Sequence, residues 1–124
     1  MSRRRLLLAA AFTWLAIVIA PAVHALSATE QARIDRLIKY VESRTDLQFV
    51  RNGSSYSSED AAKFLRGKLD GMGGNVNTAS QFIEQIATRS SSSGQPYLVR
   101  HANGHHEHLA AFLTEELRRI DAAK

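Results

Sequence analysis

Apolar residues recur at helical spacing in four stretches of this chain. In residues 29–44 they follow the pattern i, i+3, i+4 and i+7, which places one apolar stripe on a helix: Ile34, Leu37, Ile38 and Val41. The same kind of stripe predicts three more helices. Their inward-facing residues are Ala61, Phe64, Leu65, Lys68 and Leu69, then Phe82, Ile83, Ile86 and Ala87, and finally Leu109, Phe112, Leu113, Leu117 and Ile120.

Start and stop signals set the limits of these helices. The serine pair at 57 and 58 can cap the second helix, and the glycines between residues 71 and 74 make its continuation costly. Thr78 with Gln81 three residues later forms a capping box for a short third helix. We expect the last helix to span about residues 107–121.

Two segments are typical of strands. Residues 47–51 alternate apolar and polar side chains over much of their length, and Asn52-Gly53 closes the segment with a strong turn signal. Residues 54–56 can return briefly as a hairpin arm. Residues 96–100 form the second main strand, since a proline suits the first position of a strand. We expect residues 101–106 to form a loop.

The order helix, strand, helix, helix, strand, helix predicts an α+β fold. Two strands alone make a marginal sheet, so the helices must supply most of the core. We therefore expect a single small helix-dominated domain over residues 26–124, with about four helices and a two- or three-stranded sheet. The pairing direction of the strands stays open.

The first 25 residues have the features of a secretory signal peptide. Arg3, Arg4 and Arg5 precede an uncharged, mostly apolar run, and Val23-His24-Ala25 resembles a signal-peptidase site. We expect cleavage after Ala25 and a periplasmic product. A retained membrane anchor is the alternative, although the run is short for a span of about 20 apolar residues. The arginines also partly match a twin-arginine signal, but we favour the general secretory route.

The net charge and the cysteine content exclude some classes of function for this protein. The 124 residues carry a net charge of +4. Removing residues 1–25 takes away three arginines, which leaves 13 basic and 12 acidic side chains. A chain this close to neutrality has little electrostatic attraction to nucleic acid or to an anionic membrane. The absence of cysteine excludes a disulfide framework and a thiol nucleophile.

An ordered set of residues resembles a family of small exported bacterial proteins classed as a domain of unknown function, the YfeK-type periplasmic proteins. The resemblance covers most of residues 29–100. It rests on Phe49 to Gly53, Tyr56, Ala61-Ala62, Leu65, Lys68, Leu69, Thr78, Phe82-Ile83, Ile86-Ala87, the Ser90 to Gly94 tract and Pro96-Tyr97. It implies export and one compact domain, and it brings no activity, cofactor or catalytic residue.

A histidine cluster is the first candidate for chemistry. Imidazoles bind Zn²⁺, Cu²⁺ and Ni²⁺, and a short histidine-rich tract can hold such ions. The spacing matches no metal-hydrolase motif, so a polar loop with solvated histidines is the competing interpretation. The candidate ligands are His101, His105, His106 and His108.

A polar group near the predicted turn is the second candidate. If the two main strands are neighbours, the turn and the serine tract lie close together and can bind an anionic group, because an arginine forms a bidentate fork with a carboxylate or phosphate. The competing interpretation is structural. The turn and the helix caps use these residues, and Arg51 pairs with a nearby carboxylate, which is the role that we favour for it. The candidate residues are Arg51, Asn52, Ser54, Tyr56, Ser91, Ser92 and Ser93.

No motif for catalysis is present, whether a nucleophile elbow, a phosphate-binding loop or a carboxylate pair. We therefore expect a soluble periplasmic protein without enzymatic activity or cofactor, a small binding or accessory module of the cell envelope. Its partner would be an envelope protein or a small polar or anionic ligand, and neither nucleic acid nor, after cleavage, membrane. The alternative is a periplasmic metal-binding protein that uses the His101–His108 cluster, and a small hydrolase ranks third.

Overall fold

A computed structural model describes residues 26–123 and confirms an α+β domain with four helices. The predicted signal peptide, residues 1–25, lies outside the described residues. In chain order the elements are α1 (Ala28–Ser43), β1 (Gln48–Arg51), β2 (Ser54–Tyr56), α2 (Ser58–Met72), α3 (Ala79–Gln85), β3 (Leu98–Arg100), β4 (His106–His108) and α4 (Leu109–Ala122).

Three helices begin where a hydroxyl side chain satisfies a free backbone N–H. The Oγ atom of Ser27 accepts a hydrogen bond from the backbone N–H of Glu30 at 3.2 Å, and that of Ser57 accepts one from the N–H of Asp60 at 3.1 Å. The Oγ1 atom of Thr78 accepts one from the backbone N–H of Gln81 at 3.1 Å. The side chain of Gln81 reaches back to the N–H of Asn77, at 2.7 Å, one residue earlier than a standard capping box requires.

The four strands form one antiparallel sheet in the order β2-β1-β3-β4. The turn between β1 and β2 is tight because Asn52 and Gly53 both adopt positive φ, 51° and 81°, the conformation that a two-residue hairpin needs. Strand β3 pairs with the other edge of β1, with Phe49 opposite Val99. The end of β1 and the start of β3 therefore lie side by side.

The sheet has one strand more than the largest number expected, and the last helix begins later than expected. Residues 106–108 were assigned to the end of a loop and the start of α4, but they pair with β3 as strand β4. The backbone N–H of Leu109 donates to the carbonyl of Tyr97 at 2.9 Å, and the helix begins there. A three-residue strand is too short to show the alternation that predicts strands.

The core joins all four helices to the sheet. The helical stripes of α1, α3 and α4 are buried as predicted, and Phe49 and Val99 add the contribution of the sheet. Val50 and Leu98 lie on the opposite face of their strands and are half-buried. Among residues 26–123, no helix has the length and apolar content needed to cross a membrane.

Candidate functional site

An open groove runs between α2 and the strands β1 and β3, and we call it the α2 groove. It consists of two adjoining cavities of about 390 Å³ each, which share Arg51, Phe64 and Tyr97. One cavity, the apolar arm, lies at the start of α2 and is lined mainly by Phe49, Val50, Tyr56, Ala61, Leu65, Leu98 and Leu109. The other extends along Lys68 and Met72 to the serine tract at residues 90–92. Its surface is also largely apolar, and we call it the polar arm because it contains Lys68 and the serines.

Arg51 reaches the junction of the two arms from the last position of β1. Its guanidinium carbon lies 4.8 Å from the ring centroid of Phe64, in a cation–π contact. Its Nε atom is buried and has no hydrogen-bond partner. Within residues 26–123 no carboxylate forms an ion pair with Arg51. The expected pairing with a nearby acid is therefore wrong, because the side chain packs on an aromatic ring instead.

Lys68 brings a second cation to the groove from α2. The residue is only 9% exposed. Its Nζ atom donates to the carbonyl of Arg89 at 2.9 Å and to the hydroxyl of Tyr97 at 2.8 Å. An ammonium group has three donors, so one N–H has no bonded partner among the described residues. The helical pattern predicts Lys68 only as an aliphatic contributor to the buried stripe of α2. Its place at a buried helical position is the sequence signal that could have identified it as part of a site.

Two aromatic rings lie between the cations of the groove: Phe64 contacts Arg51, and Tyr97 contacts Lys68. The rings of Phe64 and Tyr97 meet edge to face, with centroids 5.7 Å apart and planes at 83°. Phe64 was predicted to be buried but is 36% exposed. On α2 the positions buried against the core are Ala62 and Leu65, and α2 packs chiefly on α1, which leaves Phe64 on the wall of the groove.

The predicted meeting of the turn and the serine tract is present. The Nδ2 atom of Asn52 donates to the Oγ of Ser90 at 3.3 Å, and the Oγ of Ser93 donates to Oδ1 of Asn52. Ser90, the first residue of the predicted serine tract, is its buried centre at 2% exposure. The serines that line the polar arm are Ser90, Ser91 and Ser92.

Two candidate residues lie away from this junction. Ser54 is exposed at the start of β2 and lines neither arm. Tyr56 lines the apolar arm but not the polar arm, which contains the serine tract. The structure thus brings Arg51, Asn52 and the serine tract together and adds Lys68, while Ser54 takes no part.

The histidines are divided between different surroundings. The Nε2 atom of His101 lies 2.6 Å from Oε2 of Glu107, and the ring of His105 lies 5.7 Å from that of His101. His106 and His108 alternate with Glu107 along β4, so they point to the opposite face of the sheet. No group of three or more histidine and carboxylate side chains in residues 26–123 is arranged to hold a metal ion. The metal hypothesis is therefore not favoured.

Fold and groove together define a small α+β domain in which Arg51 and Lys68 line one groove and neither forms an ion pair with a carboxylate of residues 26–123. Residues 28–121 match the model of a family of unknown function, DUF5329, and the chain belongs to this family. It is 40% identical over 77 residues to the uncharacterized protein YfeK of Salmonella typhimurium. The match covers 62% of this chain and 64% of YfeK, so less than two thirds of the relative is spanned. No solved structure matches the chain.

Proposed function

We propose that this chain is an exported, non-enzymatic binding protein that holds an anionic ligand in the α2 groove. One observation carries the proposal: Arg51 and Lys68 line the same cavity, and neither forms an ion pair with a carboxylate of the described residues. A buried charge without a counter-charge is costly. A ligand anion supplies that counter-charge and offsets the cost.

The surroundings of the two cations suit an anion. Ser91 and Ser92 line the polar arm together with Arg51 and Lys68. The hydroxyl of Ser91 donates to the Sδ atom of Met72 at 3.7 Å, and that of Ser92 lies 3.1 Å from the Oγ atom of Ser90. Rotation of either hydroxyl would supply a neutral donor to a bound carboxylate or phosphate. The guanidinium of Arg51 can bind such a group through two parallel N–H donors. Its position is already set by the Phe64 ring, so little side-chain freedom is lost on binding.

Replacing Arg51 with glutamine is expected to abolish anion binding with little loss of stability. The side chain has no ion pair to lose, and the cation–π contact of a half-buried arginine is worth about 0.5–2 kcal/mol. Thermal unfolding of the mature chain in sodium phosphate, in acetate and in chloride at equal ionic strength measures both effects. Phosphate or acetate at 100 times its Kd stabilises the wild type by about 2.7 kcal/mol.

Arg36→Gln is the matched control, because Arg36 is exposed on α1 and the substitution removes the same charge. It should keep the full anion-induced rise in the unfolding midpoint. A rise of equal size in Arg51→Gln, or a wild-type midpoint that responds to chloride as strongly as to phosphate and acetate, contradicts the proposal.

The proposed location rests on residues 1–25, whose basic start, apolar run and small residues at 23 and 25 are typical of a cleaved signal. Export of the full chain is expected to yield a product that begins at Leu26, as intact-mass analysis of a periplasmic extract can show. Ala25→Phe should block cleavage, because signal peptidase accepts only small side chains at this position. A full-length wild-type product in the membrane fraction contradicts both cleavage and location.

A further inference from the structure

We infer that the anion bound in the α2 groove is the carboxylate of a single-chain amphiphile, a free fatty acid. This inference rests on the proposed function and deepens it. The carboxylate is held at the junction of the arms by Arg51, with Lys68 in the adjoining polar arm, and the acyl chain lies in the apolar arm.

The exposed apolar side chains of this protein point to such a ligand. Tyr56, Phe64 and Met72 are the large hydrophobic residues that are exposed within the described part of the chain, at 36%, 36% and 57%. All three line the α2 groove. Single exposed apolar residues are common on protein surfaces, but a contiguous set of them marks a binding surface.

The lining of the apolar arm favours an acyl chain over a peptide. Its wall consists of Ala61, Leu65, Leu98, Leu109 and the ring of Phe49. Asp60 and Lys63 also line it, but both are exposed and stand at the rim. Each residue of a peptide carries a donor and an acceptor that must be satisfied when buried, and the wall offers few partners. An acyl chain needs none.

The position of Arg51 suits a ligand with one charged end. Arg51 borders both arms. A ligand whose carboxylate is bound to Arg51 can therefore extend its acyl chain directly into the apolar arm. Lys68 borders only the polar arm. Arg51 therefore places a cation where the two arms meet, so an amphiphilic anion can pair its carboxylate with that cation while its chain occupies the apolar arm. The other charged residues of the apolar arm, Asp60 and Lys63, are exposed and opposite in sign.

A homologous series of fatty acids tests the inference on the mature wild-type chain. Calorimetric titration with acetate, hexanoate, octanoate and decanoate, below their micelle concentrations, is expected to show affinity rising about two- to fourfold with each buried methylene. Decyltrimethylammonium, which has a chain of the same length and the opposite charge, should bind far more weakly. A parallel titration with phosphatidylglycerol vesicles distinguishes binding of a free fatty acid from binding of a lipid held in a membrane.

Two variants test separately how the carboxylate and the acyl chain of the ligand are bound. Arg51→Gln should weaken decanoate binding at least tenfold and shift the carboxyl titration of bound [1-¹³C]decanoate toward that of the free acid, since the guanidinium favours the ionised form. Ala61→Phe fills the apolar arm and should abolish the dependence of affinity on chain length, so that decanoate binds this variant no more tightly than acetate does. Ala111→Phe, at an exposed position of α4, is its control.

Each result has a definite consequence. Equal affinity for acetate and decanoate overturns the fatty-acid inference and leaves the proposed anion site standing. Equal binding of decanoate and decyltrimethylammonium, unaffected by Arg51→Gln, overturns both. Binding to the vesicles without binding of decanoate also overturns the inference, as does chain-length dependence that survives in Ala61→Phe.

Discussion

Replacing Phe82 with alanine is expected to lower the free energy of unfolding by about 3–5 kcal/mol, the cost of removing a fully buried aromatic ring from a core. Phe82 is 0% exposed, on the short helix α3. The same substitution at Phe64 is expected to cost only about 1–2 kcal/mol, because this ring is 36% exposed and loses mainly its contacts with Tyr97 and Arg51.

The two phenylalanine variants form a matched pair for function. Urea unfolding of both gives the stability difference, and decanoate titration at a temperature where both are folded gives the binding difference. Phe64→Ala is expected to bind decanoate at least tenfold more weakly, since Phe64 borders both arms of the groove and positions Arg51. Phe82→Ala should retain binding in its folded fraction. Equal losses of stability in the two variants would show that Phe64 is a core residue after all.

Helical periodicity predicted the core of this protein well. The spacing of Ile34, Leu37, Ile38 and Val41 defines the face of α1 whatever the helix packs against, and all four are 0% exposed. Capping by Ser57 was likewise predictable, because a cap depends on residues within one turn. Local patterns are sufficient where the physical cause is local.

The groove depends on packing between distant segments, which the sequence does not display. The stripe on α2 identified Leu65 and Lys68 as buried, but it could not show that Phe64 would lie on the open side, since that depends on how α2 packs against α1. Strand β4 was missed for a similar reason. Its three residues form a strand only because β3 offers a free edge for pairing.

The meeting of the turn with the serine tract is an intermediate case. The sequence predicts this meeting only if β1 and β3 are neighbouring strands. The two strands do pair, in the antiparallel direction, so the condition is met. The hydrogen bond from Asn52 to Ser90 then follows. The partner of Arg51 was not predictable, because an aromatic ring 13 residues later competes with every nearby carboxylate.

Two charged side chains of α1 connect it to other helices: Glu30 contacts the start of α3, and Arg33 contacts α4. The Oε1 atom of Glu30 accepts a hydrogen bond from the backbone N–H of Ala79 at 2.7 Å, at the start of α3. Arg33 donates to Oε2 of Glu30 and to Oδ2 of Asp121, both at 2.7 Å. The Ala79 N–H, above all, holds the pKa of Glu30 below its ordinary value of 4.5, with Arg33 adding to the effect against the opposing cost of burial.

Replacing Glu30 with alanine is expected to lower the free energy of unfolding by about 1.5–3 kcal/mol at pH 7, because the buried Ala79 N–H loses an ionised acceptor. Glu30→Gln keeps an acceptor oxygen and removes the charge, so it should cost about 1 kcal/mol. Urea unfolding of the three proteins between pH 3 and pH 7 measures both losses.

The pH dependence separates the charge of Glu30 from its hydrogen bond. A carboxyl group whose pKa is lower in the folded than in the unfolded chain adds stability above the unfolded value, here about 4.5. That stability is lost as the pH falls through the lower folded value. The difference between wild type and Glu30→Gln should therefore be constant from pH 7 to about pH 5 and shrink toward zero in stronger acid. Glu42→Gln, at an exposed position of the same helix, should show no such decline. If the Glu30→Gln difference persisted unchanged at pH 3, the carboxylate charge would not be what links α1 to the start of α3.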